Sequence, residues 1–314
     1  MSKWLSLIVL TVYVLGSVTF AQYPTRAVEF MIPWEAGGSA DVEGRVIANE
    51  AEQFLGQPLV PVNRPGAGSG VGFAHLREQP ADGYTIGWTS TGLLTTTILG
   101  NVPFDYTAFD HVARVSIQSM PWAVRADSPW ETFEDLVAFA QENPGAVLVG
   151  NAGVGSGTHV AAAAIADAAR IEVVHVPLGS GERIPALLRG EVQVVSVPLP
   201  EVMSQVRAGE LRLLVTPSAE RDPLIPDVPT MLELGYELSF ELHRGISVPL
   251  GTPREVIETL AEAFRQAAES EAFRELGEQQ GFSVSYLGPE EYTNYLAEQH
   301  DLVGEILQRA GLID

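Results

Sequence analysis

Two glycine-rich segments hold the residues best suited to grip a small anion. They are Pro33-Trp34-Glu35-Ala36-Gly37-Gly38-Ser39 and Asn151-Ala152-Gly153-Val154-Gly155-Ser156-Gly157-Thr158-His159. Each joins a β-rich run to a helical pattern, so free backbone N–H groups and the positive end of a helix dipole face whatever sits at the turn. One such turn needs no ligand to explain it, but one in each half of the chain points to a shared cleft. Ser90 and Thr91 follow a further strand and offer hydroxyl donors to a carboxylate. Arg244, in Glu241-Leu242-His243-Arg244-Gly245, either clamps a second carboxylate in bidentate fashion or pairs with Glu241 or another local acid. His159 starts a helix, where capping or packing competes with ligand contact. Trp34 and Trp88 either wall the cleft or belong to the core. The candidate binding set is Trp34, Ala36, Gly37, Gly38, Ser39, Ser90, Thr91, Asn151, Gly155, Ser156, Thr158, His159 and Arg244.

The chain is acidic, with 40 Asp and Glu against 18 Lys and Arg in 314 residues and a formal charge of −22. That balance excludes nucleic acid as a natural partner, which needs a basic face. It does not exclude a small anion, because repulsion between exposed charges is largely screened beyond about 8 Å at physiological salt. A hydrogen bond to a charged group contributes roughly 1.5–3 kcal/mol and a helix end roughly 0.3–1. Three or four such contacts support a micromolar complex, which needs about 8 kcal/mol net. Local donors therefore outweigh the global charge.

Most other chemistry is removed by what the chain lacks. There is no cysteine, hence no disulfide, thiolate metal site or cysteine nucleophile. Lys3 is the single lysine, so a phosphate-loop or Schiff-base lysine is missing once the N-terminal segment is cut. No Gly-x-Ser-x-Gly or His-Glu-x-x-His motif occurs, and the six histidines show no paired metal spacing. Neither metal nor cofactor is expected.

An apolar content of 46% and the chain length suit two domains with sizeable cores. Strands are expected at residues 28–32, 59–62, 84–89, 146–150, 172–176, 192–197 and 211–215, and helices at 39–55, 133–142 and 158–169. The alternation predicts an α/β architecture of parallel or mixed sheets flanked by helices. Residues 253–268, 271–280 and 290–310 read as a helical tail returning to the first domain, with little strand signal after Val248. Crossings near 115–124 and 238–248 give a discontinuous first domain, 22–118 with 245–314, and a second domain, 119–244. Lys3, the apolar run 4–20 and Thr19-Phe20-Ala21 read as a secretory signal over residues 1–21, which places the mature chain in the periplasm.

Tyr23-Pro24, residues 33–41, Leu55-Gly56-Gln57-Pro58, Asn63-Arg64-Pro65-Gly66-Ala67-Gly68, Pro80-Ala81-Asp82-Gly83-Tyr84-Thr85 and Asp227-Val228-Pro229-Thr230 form a collinear series. In that series the chain resembles the Bug family, the extracytoplasmic solute-binding proteins of tripartite tricarboxylate transporters. The resemblance implies a two-domain flytrap of the type II-like periplasmic binding protein fold, with a cleft between domains. It also implies an organic acid whose proximal carboxylate is held by the two loops, partly through ordered water, and membrane transporter subunits as partners. A monomer without enzymatic activity is expected. Arg244-Gly245 resembles the tricarboxylate-binding branch. Val197-Pro198 stands where many relatives carry Asp-Asn, which leaves the distal end of the ligand unassigned, and Trp34 leaves room for an aromatic acid. Two rivals remain at this level: a sensory binding protein for a membrane kinase, and a secreted hydrolase using Ser90 or Ser156 with His159.

Overall fold

Short apolar runs alternating with capped helices build two separate sheets. The computed structural model describes residues 23–313 except Val154, Ser180 and Ala310. The secretory signal expected over residues 1–21 lies outside the described residues. The first half of the chain forms β1 (Val28–Ile32), α1 (Ser39–Leu55), β2 (Leu59–Asn63), α2 (Gly70–Arg77), β3 (Thr85–Ser90), α3 (Thr91–Ile98) and β4 (Phe109–Gln118). Next come β5 (Trp122–Arg125), α4 (Phe133–Glu142), β6 (Val147–Asn151), α5 (Gly157–Ala169), β7 (Val173–Pro177), α6 (Arg183–Arg189), β8 (Val194–Ser196), α7 (Met203–Arg207) and β9 (Leu211–Val215). The chain ends with β10 (Leu242–Pro249), α8 (Arg254–Ala268), α9 (Glu271–Gln280), β11 (Ser283–Leu287) and α10 (Pro289–Arg309).

The first sheet has the order β11-β4-β10-β3-β1-β2 and the second β7-β6-β8-β5-β9. In the first, β1 runs parallel to β2 and β3, while β10, β4 and β11 extend it antiparallel. In the second, β6 runs parallel to β7 and β8, and β5 is antiparallel to β8 and β9. Helices cover the sheets with amphipathic faces. In α8, for example, Val256, Leu260, Phe264 and Ala267 are buried at helical spacing, and its Glu and Arg residues face out. α4 starts at a capping box, with Thr132 and Asp135 each satisfying the other's backbone amide.

The chain passes between the lobes at residues 119–121, from β4 to β5, and again between β9 and β10. These crossings are tied to each other, Ser119 Oγ lying 2.7 Å from Ser218 Oγ. Three features differ from the sequence expectation. Residues 242–249 form a fully buried strand at the heart of the first sheet, so the hydrogen bonding of that sheet begins at Leu242. Ser283–Leu287 is also a strand, carried by its pairing to β4. The helical tail does not stay on the first lobe. Tyr292 and Leu296 of α10 pack on Leu94, but Val303, Ile306 and Leu307 belong to the core of the second lobe.

Candidate functional site

The parallel strands β1, β3 and β6 each hand the chain to a helix start at their carboxyl ends, where ligands collect in open α/β sheets. At the first loop, Gly38 is the N-cap of α1 and makes no side-chain capping bond. The amides of Gly38, Ser39 and Ala40 make no hydrogen bond to another described residue, as expected for a first helical turn. The Gly37 amide is already committed, donating to Asp41 Oδ2 at 2.9 Å. Asp41 also accepts from Arg45 Nε at 2.9 Å and from Asn63 Nδ2 at 2.8 Å, and the same Asn63 amide donates to the Trp34 carbonyl at 2.9 Å. Burial raises the Asp41 pKa, but Arg45, the Gly37 amide and Asn63 outweigh it and hold the carboxyl below its ordinary range. Asp41 and Asn63 thus pin this loop, a role that their sequence positions alone did not disclose.

The second loop is braced in a comparable way. Asn151 Oδ1 accepts from the Gly153 amide at 3.1 Å, which orients the side chain so that its Nδ2 donates toward Val149 O and the Nδ1 of His175 at 3.2 Å. Thr158 Oγ1 accepts from the Ala152 amide at 2.9 Å, and Ser156 Oγ caps α5 by accepting from the His159 amide at 3.1 Å. The Gly155 amide donates to His159 Nδ1 at 3.1 Å. Both rings therefore accept at Nδ1 and carry their proton on Nε2. Burial, and then the neighbouring His175, lowers the His159 pKa to about 4, so that ring is neutral. The two imidazoles meet edge to face with centroids 4.5 Å apart. Gly155 itself sits at φ +77°, and a methyl there would lie 1.9 Å from Leu99 Cδ1 at the end of α3. The second lobe's loop is thereby fitted against the first lobe.

Strand β10 brings the two loops to one place. An ideal Cβ on Gly157 would lie 3.8 Å from Leu242 Cδ1, and the Arg244 guanidinium lies 4.9 Å from the Trp34 ring centroid. Residues two apart on a strand share a face and are about 6.6 Å apart, so α5 and the Trp34 loop flank the same stretch of β10. Ser90 pairs with Arg244 across the ladder, and its hydroxyl accepts from the Gly92 amide at 3.0 Å. Ser90, Asn151, His159 and Arg244 are each less than 5% exposed, whereas Glu35, Ala36, Gly37 and Gly38 face solvent.

Several expected residues have other partners in this arrangement. Thr91 Oγ1 accepts from the His243 amide at 3.2 Å and lies 3.1 Å from its ring, so β10 consumes it. Trp88 is fully buried and donates to the Ala40 carbonyl, which makes it core rather than cleft wall. Arg244 pairs with Glu43 of α1, Nε to Oε2 at 3.5 Å, rather than with Glu241. Glu43 is fully buried and also accepts from Ser116 and from Gln118 Nε2 at 2.8 Å. Desolvation raises the Glu43 pKa against the pull of Arg244. Among the described residues neither serine of the hydrolase alternative is bonded to the His159 ring: Ser156 Oγ accepts from the His159 backbone amide, Ser90 Oγ accepts from the Gly92 amide, and the ring Nδ1 accepts from Gly155. A hollow of about 480 Å³ lined by Arg125, Trp130, Phe139 and Gln193 lies at the opposite end of the second lobe, beside the amino ends of β6 and β8.

Two α/β lobes joined by crossing segments, with helix starts from both lobes converging on the seam, define the periplasmic-binding-protein fold. Residues 44–312 match the tripartite tricarboxylate transporter family receptor (TctC) family, and the chain belongs to it. Protein BugT of Bordetella pertussis is 28% identical over 98% of this chain and 96% of its own. A TctC solute binding protein from Polaromonas, solved without ligand, is 30% identical, covers 91% of this chain and 99% of its own, and superposes with a TM-score of 0.80. An R. palustris protein solved with adipate is 25% identical, covers 92% of this chain and 98% of its own, and has a TM-score of 0.82. Membership of this family of transporter receptors agrees with the resemblance carried by the glycine-rich motifs.

Proposed function

We propose that this chain captures a small organic acid in the periplasm and presents it to the membrane subunits of a tripartite tricarboxylate-type transporter, with no reaction catalysed. The observation that carries the reading is the meeting of the α1 and α5 starts at one face of β10, where the Gly38, Ser39 and Ala40 amides of the first and the Gly157 and Thr158 amides of the second make no bond to another described residue. Backbone donors from both lobes would hold the proximal carboxylate. Ser90 and the Nε2–H groups of His159 and His175 would add neutral donors around it. Trp34 and Arg244 would face the remainder of the acid. Because the facing side chains are nearly sealed from solvent, the guest enters only when the lobes part, and closure then buries it. We assign residues 23–118 and the chain from Leu242 through the first turns of α10 to one lobe and residues 119–241 to the other, with the end of α10, at Val303, Ile306 and Leu307, docked on the second lobe. The adipate-bound relative supports a dicarboxylate as the first guest to try.

The test is titration calorimetry on the purified mature chain against dicarboxylates, tricarboxylates, aromatic acids, sugars and inorganic cations. A one-to-one response to at least one carboxylate, absent with sugars and cations, is the expected result. Silence toward every carboxylate, with a clear response to a sugar or cation, refutes the reading.

A further inference from the structure

A second buried arginine lies on the cleft side of the second lobe. β7, β6 and β8 are adjacent and parallel, so the segments after β7 and β8 emerge at the same end of the sheet as the Asn151 loop. Arg183 opens α6 after β7, and Glu201 ends the short 3-10 turn Leu199–Glu201 after β8. Arg183 Nη2 lies 3.1 Å from Glu201 Oε1 and 3.0 Å from Oε2, with side-chain exposures of 4% and 20%. Nη2 thus donates to Oε1 and meets Oε2 only as an ion-pair contact. Arg183 Nε and Glu201 Oε2 are buried and make no hydrogen bond to another described residue. Arg244, reached from the first lobe, has its own Nε in the same condition, and its charge acts on Glu201.

A buried ion pair with orphaned atoms on both members adds little to stability, because desolvation offsets the attraction and each orphan adds a further cost. What the arrangement does supply is a guanidinium with a carboxylate already resting on it. Glu201 displays, on a tether, the chemical species the site accepts, and its partial exposure gives it somewhere to go when displaced.

We propose that Arg183 is the specificity-determining cation for the distal carboxylate of the guest, and that Glu201 holds the place until a dicarboxylate arrives. This rests on the carboxylate-binding reading above. Displacement keeps the charges balanced: the ligand's carboxylate replaces that of Glu201 beside Arg183 as Glu201 swings toward solvent. Val197-Pro198 offers no side-chain polar group at the neighbouring turn and Ser196, at the end of β8, only a neutral hydroxyl, so Arg183 is the cation that the carboxyl ends of β7 and β8 provide.

The test compares adipate with hexanoate, its monocarboxylate counterpart of equal chain length, on wild type, Glu201→Gln and the double variant Arg183→Gln/Glu201→Gln. The double variant removes both charges at nearly constant volume and so avoids stranding one of them. Wild type should favour adipate, Glu201→Gln should bind adipate about tenfold tighter, and the double variant should lose about ten- to a hundredfold in adipate affinity with hexanoate affinity unchanged. Retention of the wild-type preference for adipate in the double variant, or weaker adipate binding by Glu201→Gln, overturns the assignment. Failure of wild type to bind any carboxylate strikes instead at the proposed function itself.

Discussion

Replacing Gly155 by alanine tests how the second loop is fitted to the first lobe. At φ +77° an L-residue is strained by roughly 1–2 kcal/mol, and the new methyl would sit 1.9 Å from Leu99 Cδ1. Overpacking of this kind costs typically about 1–3 kcal/mol, so the two effects together should destabilise Gly155→Ala by about 2–5 kcal/mol. They are separable. Leu99→Ala removes the obstruction and leaves the backbone strain, so the double variant should recover about 1–3 kcal/mol relative to the sum of the singles. Denaturant unfolding of the four proteins gives the cycle directly. Carboxylate affinity should fall in Gly155→Ala, because shifting residue 155 tilts the amide that fixes His159. A coupling below about 0.5 kcal/mol, or an alanine variant with the wild-type midpoint, would refute the claim that this glycine sets the contact between the lobes.

Other outcomes follow from the same geometry. Glu43→Ala strands Arg244 and should destabilise by about 3–5 kcal/mol, with more than half regained in Glu43→Ala/Arg244→Met, as read from denaturation midpoints. His111 is sealed in the first lobe against Ser247 Oγ at 2.8 Å, and burial pushes its pKa down to about 4. The unfolded chain therefore takes up this proton first, and His111 should account for about 3 kcal/mol of the stability lost as pH drops from about 6.5 to 4, a share that His111→Gln should remove while the other buried histidines keep theirs. Trp34 is half-buried over Arg244, while Trp88, Trp122 and Trp130 are buried in the cores. Any fluorescence response to a carboxylate should thus vanish in Trp34→Phe, and its persistence would place the guest elsewhere. Ile306→Ala should cost about 2–5 kcal/mol and loosen the hold of α10 on the second lobe, raising amide exchange in α5.

The sequence by itself determined the elements whose causes are local. The strands at β1, β2 and β9, the helices α1, α4 and α9, and the two glycine-rich turns were legible because periodicity, caps and turn residues lie within a few positions of one another. The collinear motifs carried the family as well. β10 reads as a crossing because a strand buried on both faces shows no alternation, and β11 gives no strand signal because its pairing with β4 lies far off in sequence. The site divides in the same way. The helix start after the second glycine-rich turn was readable, but Ser156 as its cap, the Glu43 partner of Arg244, the Asp41–Asn63 brace under Trp34 and the contact of His175 with Asn151 were not. Each joins residues from different elements, and which elements become neighbours is set by sheet order and lobe packing rather than by spacing along the chain. Only the folded arrangement decided that Arg244 would be buried against an acid and that Arg183 would stand with a carboxylate at the seam. The cost of desolvating a charge is settled by what surrounds it in three dimensions.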